Sequence, residues 1–356
     1  MIKQMLEKSW KVASIIVLAA SLAACGSGGG AKQAATGADK GKDTAAPAAS
    51  SSKYPEKPLG IVAPSGAGGG WDMTARTIAK VLGETKIYEK PVSVENKPGG
   101  GGTVFMAEYA TKDVKDNYKL FVSSPPILIN NIKKEGNTPY GFKDTTPLAQ
   151  LTKDYGAIAV AANSKYNDLK SLLADMKADP TKLTVAGGSA PGSMDHVVAI
   201  LPAFKYGIDP KKIKYVSYDG GGEAVTALLG GNADVLGTDA SSLDQYVKAG
   251  KIKILAVAAP QRLGGSLKDV PTMKEQGVDA EFLIWRGIFG PKEMSADAKK
   301  YWDDALKKMV ESDQWKKEVQ ANNWETDYKK SDDFKTYLTQ QETQIKDIMT
   351  ALGMQK

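Results

Sequence analysis

A unit that recurs along the chain constrains its fold most: a short apolar run, a glycine-rich turn, and a stretch with helical periodicity. The first unit begins with LGIVAPS (Leu59–Ser65) and passes through GAGGG into a helix predicted from about Trp71 to Leu82. Apolar residues recur three and four positions apart on that helix, as one buried helical face requires. Strands that alternate with helices indicate βαβ units and a largely parallel sheet, so the sequence predicts an α/β fold.

Further units follow the same order. VSVEN (Val92–Asn96) is a predicted strand, KPGGGG is its turn, and the next helix is predicted from about Thr103 to Thr111. Lys119–Pro125 and Ala157–Asn163 are short apolar runs and are predicted as strands. LTVAGGSAPGSMDHVVAIL and IKYVSYDGGGEAVTALLGG each repeat the order of strand, glycine turn and helix.

The last part of the chain is predicted to be helical, beginning after EFLIWRGIFGP (Glu281–Pro291). Ser295 and Ser331 stand where an N-cap is expected, with a hydroxyl that can accept from a free backbone N–H. Asp332 and Asp333 follow in a predicted first turn, where the helix dipole favours negative charge.

The N-terminus has the pattern of a secretion signal, predicted over residues 1–24. A basic start precedes the apolar core Val12–Ala20, which is too short for a confident membrane span of about 20 residues. LAAC (Leu22–Cys25) resembles the lipobox of bacterial lipoproteins, which predicts that Cys25 carries a lipid anchor. The alternative is an ordinary signal peptide with an incidental cysteine.

The segment after the cysteine is predicted to be a flexible tether, so residues 25–53 form the lipidated cysteine and linker. Gly26–Lys53 contains no Val, Ile, Leu, Met or aromatic residue and cannot bury enough apolar surface to offset its ordering entropy. The remaining residues, 54–356, suffice for two domains of ordinary size.

Composition argues against several functions. The net charge of +6 is mild, and no basic run is interleaved with aromatic residues, so nucleic-acid binding has no support. His196 is the only histidine, and the carboxylates lack the spacing of a metal loop, so no metal or cofactor is predicted. A single cysteine allows no intramolecular disulfide.

Four glycine turns are the candidate binding elements: Pro64–Asp72, Asn96–Gly102, Gly187–Asp195 and Tyr218–Glu223. Glycine lets backbone N–H groups approach one point closely, and the first N–H groups of a helix favour an anion. Each turn could simply be a tight turn, but four in one chain favour anion binding. The first has neither the Walker A spacing nor the dinucleotide G-x-G-x-x-G spacing, which favours a small anion over a nucleotide.

Ser193, Asp195 and His196 lie together in SMDH and raise the possibility of a hydrolase. Asp195 and His196 are neighbours at a helix start and point to different sides, so the aspartate is badly placed to orient the imidazole. The G-x-S-x-G nucleophile turn is also absent. We therefore expect His196 either to donate to a ligand carboxylate or to pack the turn.

Taken together, APSGAGGGWDMTAR, VENKPGGGGTVFMAEYA, GGSAPGSMDH, YDGGGEAVTALLGGNADV and LIWRGIFGP resemble the solute-binding proteins of tripartite tricarboxylate transporters, the Bug-type family. The resemblance covers about Pro58 to Leu352. It implies a type II periplasmic-binding-protein fold, in which two α/β lobes joined by two crossovers close over a small carboxylate. Lobe 1 would comprise residues 54–154 and 283–356, lobe 2 residues 155–282, with hinge strands near 155–160 and 282–289.

The resemblance also implies a set of ligand-binding residues divided between the lobes. Lobe 1 would contribute Ser65, Gly66, Gly68, Gly69, Gly70, Asp72, Ser123 and Ser124. Lobe 2 would contribute Gly188, Ser189, Ser193, His196, Tyr218, Gly220 and Asp239. Arg286, near a predicted hinge, is either a bidentate partner of a ligand carboxylate or part of a structural salt bridge.

The expected function is that of a monomeric, membrane-anchored, extracytoplasmic lipoprotein. It would capture a citrate-like di- or tricarboxylate and deliver it to membrane transporter subunits, without catalysis. Three alternatives remain open at this point: presentation of a ligand to a sensor kinase, a secreted hydrolase using Ser193 and His196, and a phosphate or sulfate carrier.

Overall fold

The computed structural model describes residues 54–356, so the predicted signal, Cys25 and the tether lie outside the described residues. The described strands are β1 Leu59–Ala63, β2 Val92–Asn96, β3 Lys119–Ser123, β4 Thr145–Ala161, β5 Thr184–Gly187, β6 Lys214–Ser217, β7 Val235–Asp239, β8 Ile252–Val257, β9 Leu283–Pro291 and β10 Glu325–Lys330. The described helices are α1 Gly70–Glu84, α2 Thr103–Lys112, α3 Pro126–Ile132, α4 Leu169–Ala178, α5 Met194–Lys205, α6 Gly221–Leu229, α7 Ala240–Lys248, α8 Ala296–Glu311, α9 Asp313–Ala321 and α10 Ser331–Ala351.

The strands form a mixed sheet in the order β2-β1-β3-β9-β4-β7-β5-β6, with β10 and β8 also paired to β4. Towards its two ends the sheet is parallel, because β1 pairs with β2 and β3, and β5 with β6 and β7. The middle is antiparallel, because β4 and β9 run in opposite directions between the two ends. The expectation of a largely parallel sheet is therefore wrong at the centre. The result is a two-lobed α/β fold, as expected.

Strand β4 is much longer than the segment predicted from the sequence. Its first part, residues 145–155, pairs with β9, and its last part, residues 156–161, pairs with β7 and β8. The first part escaped the prediction because buried polar residues interrupt its apolar pattern. Gln150 and Thr152 have no exposed surface, and the Gln150 amide donates to Asp327 at 2.7 Å. Hydrogen bonding thus offsets at least part of the cost of burying the Gln150 side chain.

Two of the predicted helix boundaries differ from the structure. The helix predicted to end at about Leu82 is α1, which continues to Glu84 with Thr85 as its C-cap. Ser331 is not an N-cap, because it is the first residue of α10 and its hydroxyl donates to the carbonyl of Pro147 on β4 at 2.7 Å. Ser295 is confirmed as the N-cap of α8, since its hydroxyl accepts from the Ala298 N–H.

Helices cover the sheet and bury its apolar side chains in three clusters. Ile78 of α1 and Trp302 of α8 pack in one cluster with strand residues such as Ile61. Tyr155 and Leu236 belong to a second, beneath α6 and α7. No helix within residues 54–356 is long and apolar enough to cross a membrane.

Candidate ligand-binding cleft

The four glycine turns meet at one cavity with an empty volume of about 440 Å³, which includes open solvent. Each turn contributes glycine to its wall: Gly69 and Gly70, then Gly101, then Gly188, and last Gly220 and Gly221. The complete lining is Pro64, Ser65, Gly69, Gly70, Trp71, Gly101, Pro126, Gly188, Ser189, Met194, Asp195, Asp219, Gly220, Gly221, Thr238, Asp239 and Arg286. Six of these seventeen residues are glycine, which suits a site that binds with main-chain N–H groups.

The first and fourth turns touch each other across the cavity mouth. The Gly66 N–H donates to the Asp219 carbonyl oxygen at 2.7 Å. A Cβ placed on Gly220 would lie only 3.0 Å from the Gly66 Cα, and one on Gly222 only 2.6 Å from the Ala67 carbonyl oxygen. The turns therefore approach to a distance that only glycine permits without displacement.

Three of the helices that begin at the cavity wall are α1, α5 and α6. Their N-cap residues, Gly69, Ser193 and Gly220, make no side-chain capping hydrogen bond. The N–H groups of an uncapped first turn lack intrahelical acceptors and lie at the positive end of the helix dipole. Helix α7 differs, because Asp239 caps it by accepting from the Ser242 N–H. The N-termini of α1, α5 and α6 are therefore suited to binding an anion.

Arg286 lies at the base of the cavity with only 1% of its surface exposed. Its Nη2 is 3.1 Å from Oδ1 of Asp239, so the salt bridge considered from the sequence is present. A Cβ on Gly70 would lie 2.0 Å from Nη2, which shows how closely the guanidinium packs on the first turn. Although Nη2 forms this ion pair, neither Nη2 nor Nε of Arg286 has a hydrogen-bond partner within residues 54–356. The arginine therefore has donor capacity left for a ligand oxygen.

Two further buried carboxyl groups lie near this ion pair. Asp195 accepts from the Gly188 N–H through Oδ2 at 2.7 Å, while its Oδ1 has no hydrogen-bond partner within the described chain. Burial, and then repulsion from Asp239, raises the pKa of Asp195 to about 7, although Gly188 and Arg286 act in the opposite direction. The same two causes raise the pKa of Asp154, which accepts from Ser241. Two buried carboxyl groups near the ion pair therefore have raised pKa values, and of these Asp195 lines the cavity.

Seven of the expected ligand-binding residues line this cavity: Ser65, Gly69, Gly70, Gly188, Ser189, Gly220 and Asp239. The other eight do not, and four of them, Gly66, Gly68, Asp72 and Ser124, support the first turn or the wall. Asp72 accepts from Gly68 N–H, Asn96 and Arg76, and these bonds keep its pKa below the usual value despite burial. Ser124 accepts from the Trp71 indole at 2.8 Å. Gly66 joins the fourth turn, as described above.

Four more of the expected residues lie elsewhere. Ser123 lines a neighbouring cavity, and Tyr218 lines a shallow groove beside α6. The Ser193 hydroxyl is buried without a hydrogen-bond partner in the described chain. His196 lines a different cavity altogether.

His196 packs the turn before α5, which is one of the two roles expected for it. Its Nδ1 accepts from the Gly192 N–H at 2.9 Å, and its ring stacks on Tyr215 with centroids 4.2 Å apart. Asp195 is bonded to Gly188 instead, so Asp195 and His196 do not form a catalytic relay. The geometry therefore gives the hydrolase alternative no support.

Several lining residues were missed by the sequence analysis. Gly101 belongs to the second glycine turn, which was identified, but no residue of it was assigned to the site. Asp195 was weighed only as a partner of His196. Thr238 and Pro126 follow apolar strands and carry no local signal of their own. A rule that takes every residue at the end of a parallel strand would have found Thr238.

A two-lobed α/β fold whose cleft is lined by converging glycine turns defines a solute-binding protein of the periplasmic class. A solved structure of the periplasmic binding protein BugD superposes with a TM-score of 0.77 at 23% identity, covering 85% of this chain and 100% of BugD. A Rhodopseudomonas palustris protein solved with adipate gives a TM-score of 0.77 at 22% identity, covering 85% of this chain and 99% of the other.

The sequence comparisons place the chain more narrowly. It is 29% identical to BugT of Bordetella pertussis over 251 residues, which are 68% of this chain and 73% of BugT. Residues 74–354 match the family described as "Tripartite tricarboxylate transporter family receptor". The chain belongs to this family.

Proposed function

We propose that this protein captures a small, citrate-like di- or tricarboxylate in the cleft between its lobes and passes it to a tripartite tricarboxylate-type membrane transporter. One observation carries the proposal: four glycine turns, three of them with uncapped helix starts, meet at one cavity. Backbone N–H groups and the unbonded donors of Arg286 are suited to carboxylate oxygens. The similar R. palustris protein was solved with a dicarboxylate, adipate.

The lobes, the anchor and the location belong to the same proposal. Lobe 1 is residues 54–154 and 283–356, lobe 2 is residues 155–282, and the cavity lining draws on both. Cys25 carries lipid and holds the protein outside the cytoplasm at the membrane. A carrier does not alter its ligand, and the cleft releases the carboxylate when the lobes separate.

A thermal-shift panel tests this function directly. Citrate, other di- and tricarboxylates, adipate and nicotinate are each added to the full chain, with phosphate and sulfate as competing anions. A ligand at 100-fold its dissociation constant should add about 2.7 kcal/mol to the free energy of unfolding. At least one carboxylate should raise the melting temperature. Unchanged melting across all the carboxylates would contradict the proposal, whether or not phosphate or sulfate raises the melting temperature.

A further inference from the structure

A second cavity, with an empty volume of about 780 Å³, shares the turn before α5 with the solute cleft. We name it the basic cavity. Its walls come from the end of α3, from the turn before α5, from Lys211 and from the C-terminal segment. The lining is Lys133, Lys134, Glu135, Pro191, Gly192, His196, Lys211, Gly353 and Met354.

The charge of the basic cavity is not balanced. Three lysines face one glutamate, and none of the lysines has a carboxylate oxygen within 4.0 Å in the part of the chain that the structure describes. Lys133 is only 2% exposed, and its Nζ makes one long hydrogen bond, 3.4 Å to the Pro191 carbonyl. A buried ammonium without a neutralising partner is costly, and burial lowers the pKa of Lys133, so a bound anion would stabilise its charged form.

His196 adds a neutral donor to the same cavity. Because Nδ1 accepts from the Gly192 N–H, the ring proton of the neutral imidazole lies on Nε2. Burial and the nearby Lys133 lower the pKa of His196 to about 4, so the ring is neutral at physiological pH. Nε2 makes no hydrogen bond to any residue of the described chain. The cavity therefore presents several donors and a single acidic side chain.

The geometry points to a second anion site in the basic cavity, for a small multivalent oxyanion such as phosphate, free or as part of a larger molecule. Phosphate offers up to four oxygens as acceptors and carries more than one negative charge near neutral pH. Suitable donors lie on different walls of the cavity: the ammonium groups of Lys133 and Lys211 and the Nε2–H of His196.

Two elements connect the basic cavity to the solute cleft. Helix α3 has Pro126 in the cleft at its start, and Lys133 directly follows its end. The Tyr215 hydroxyl donates to the Ser189 carbonyl at 2.8 Å, and its ring stacks on His196. An anion held between Lys133 and Lys211 also joins the two proposed lobes. We expect phosphate to strengthen carboxylate binding in the cleft, and this expectation rests on the proposed function.

Proton NMR of His196 tests the site, because the sequence contains one histidine. Inorganic phosphate is titrated into the full-length protein, purified without a histidine tag, with sodium chloride at matched ionic strength as the control. The imidazole resonance should shift and saturate with phosphate only. Lys133→Met and Lys211→Gln should each weaken the apparent affinity about tenfold or more, the effect of losing one charge-assisted hydrogen bond.

Lys212→Gln is the matched control, because Lys212 is an exposed neighbour that does not line the cavity. It should leave the titration unchanged. No saturable shift with free phosphate or with vesicles of phosphatidylcholine and phosphatidic acid would overturn the site, as would equal affinity in all variants. A response to free phosphate identifies a soluble anion, whereas a lysine-dependent response to the vesicles alone identifies a lipid headgroup.

The two proposals fail separately. A carboxylate that raises the melting temperature without any phosphate effect on His196 would overturn the basic cavity and leave the carrier intact. A phosphate-dependent shift of the His196 resonance without any carboxylate response would overturn the carrier and leave the basic cavity intact. The coupling itself is contradicted if saturating phosphate leaves the carboxylate dissociation constant unchanged.

Discussion

Gly66 and Asp219 are joined by a backbone hydrogen bond of 2.7 Å that links the first and fourth glycine turns across the mouth of the cleft. Asp219 also lines the cleft, so this bond forms part of the enclosure around a ligand. If the lobes separate to release ligand, this bond must break. The packing of the two turns should therefore control affinity without controlling folding.

Replacing Gly222 by alanine should separate these two effects. Gly222 lies in the first turn of α6, where alanine should change the stability of the helix itself by less than about 1 kcal/mol. The new Cβ would lie 2.6 Å from the Ala67 carbonyl oxygen, so the closed arrangement should be strained and carboxylate affinity should fall about tenfold. Calorimetric titration and urea unfolding measure the two quantities.

Gly83→Ala is the control for that experiment. Gly83 lies in α1, and a Cβ there would have no neighbour within 4 Å, so the variant should gain stability and keep its affinity. Unchanged affinity in Gly222→Ala would show that contact between the turns does not matter for binding.

Arg286→Met should destabilise the protein by about 3–5 kcal/mol at neutral pH, because it leaves the buried Asp239 without its cation. Adding Asp239→Asn should recover much of the loss, since asparagine retains an N-cap oxygen for α7. Urea unfolding of the single and double variants measures this coupling. A loss below about 1 kcal/mol in the single variant would show that the ion pair is not needed to compensate Asp239.

Asp195→Asn should change how stability depends on pH. The folded-state pKa of Asp195, about 7, lies above the unfolded value of about 3.9. The protonated carboxyl thus favours the fold below about pH 4, and this contribution is lost as the pH rises to about 7. Over that range the variant should gain about 2–4 kcal/mol relative to the parent protein.

Urea unfolding from pH 4 to 8 measures the difference, with Asp304→Asn at an exposed position as the control. A constant difference between Asp195→Asn and the parent would mean that Asp195 is ionised throughout.

The imidazole of His196 should remain neutral across most of the accessible pH range. Burial and Lys133 lower its pKa to about 4, so the NMR resonance of the folded, anion-free protein should barely move between pH 8 and pH 5.5. The urea-unfolded chain should titrate near the ordinary value of about 6.5. Titration of the folded protein near 6.5 would contradict the burial and the contact with Lys133.

Local sequence patterns predicted the elements that form the cleft wall. The glycine turns were found because each follows an apolar run and precedes a stretch with helical periodicity. The residues at those turns lie together in the structure. Their meeting point followed from the resemblance to a family, since no local pattern says which turns share an edge of the sheet.

What escaped prediction depends on distant contacts. A salt bridge of Arg286 was considered from the sequence, but its partner was not, because Asp239 lies 47 positions away and neither residue has a local pattern that reveals the other. His196 was expected to bind ligand or to pack its turn, and only the fold shows that its ring faces a second cavity. The first half of β4 was hidden because buried polar residues interrupt its apolar pattern, and the Gln150 amide donates to Asp327 of β10 and not to a neighbour in sequence.

The continuity of β4 has a mechanical consequence. One unbroken strand is hydrogen-bonded to β9 along residues 145–155 and to β7 and β8 along residues 156–161. Separation of the lobes would therefore bend and twist a paired ribbon instead of rotating about a loose loop. We expect a hinge of this kind to permit only limited opening of the cleft. The stiffness of the sheet near Asp154 and Tyr155 should set that limit.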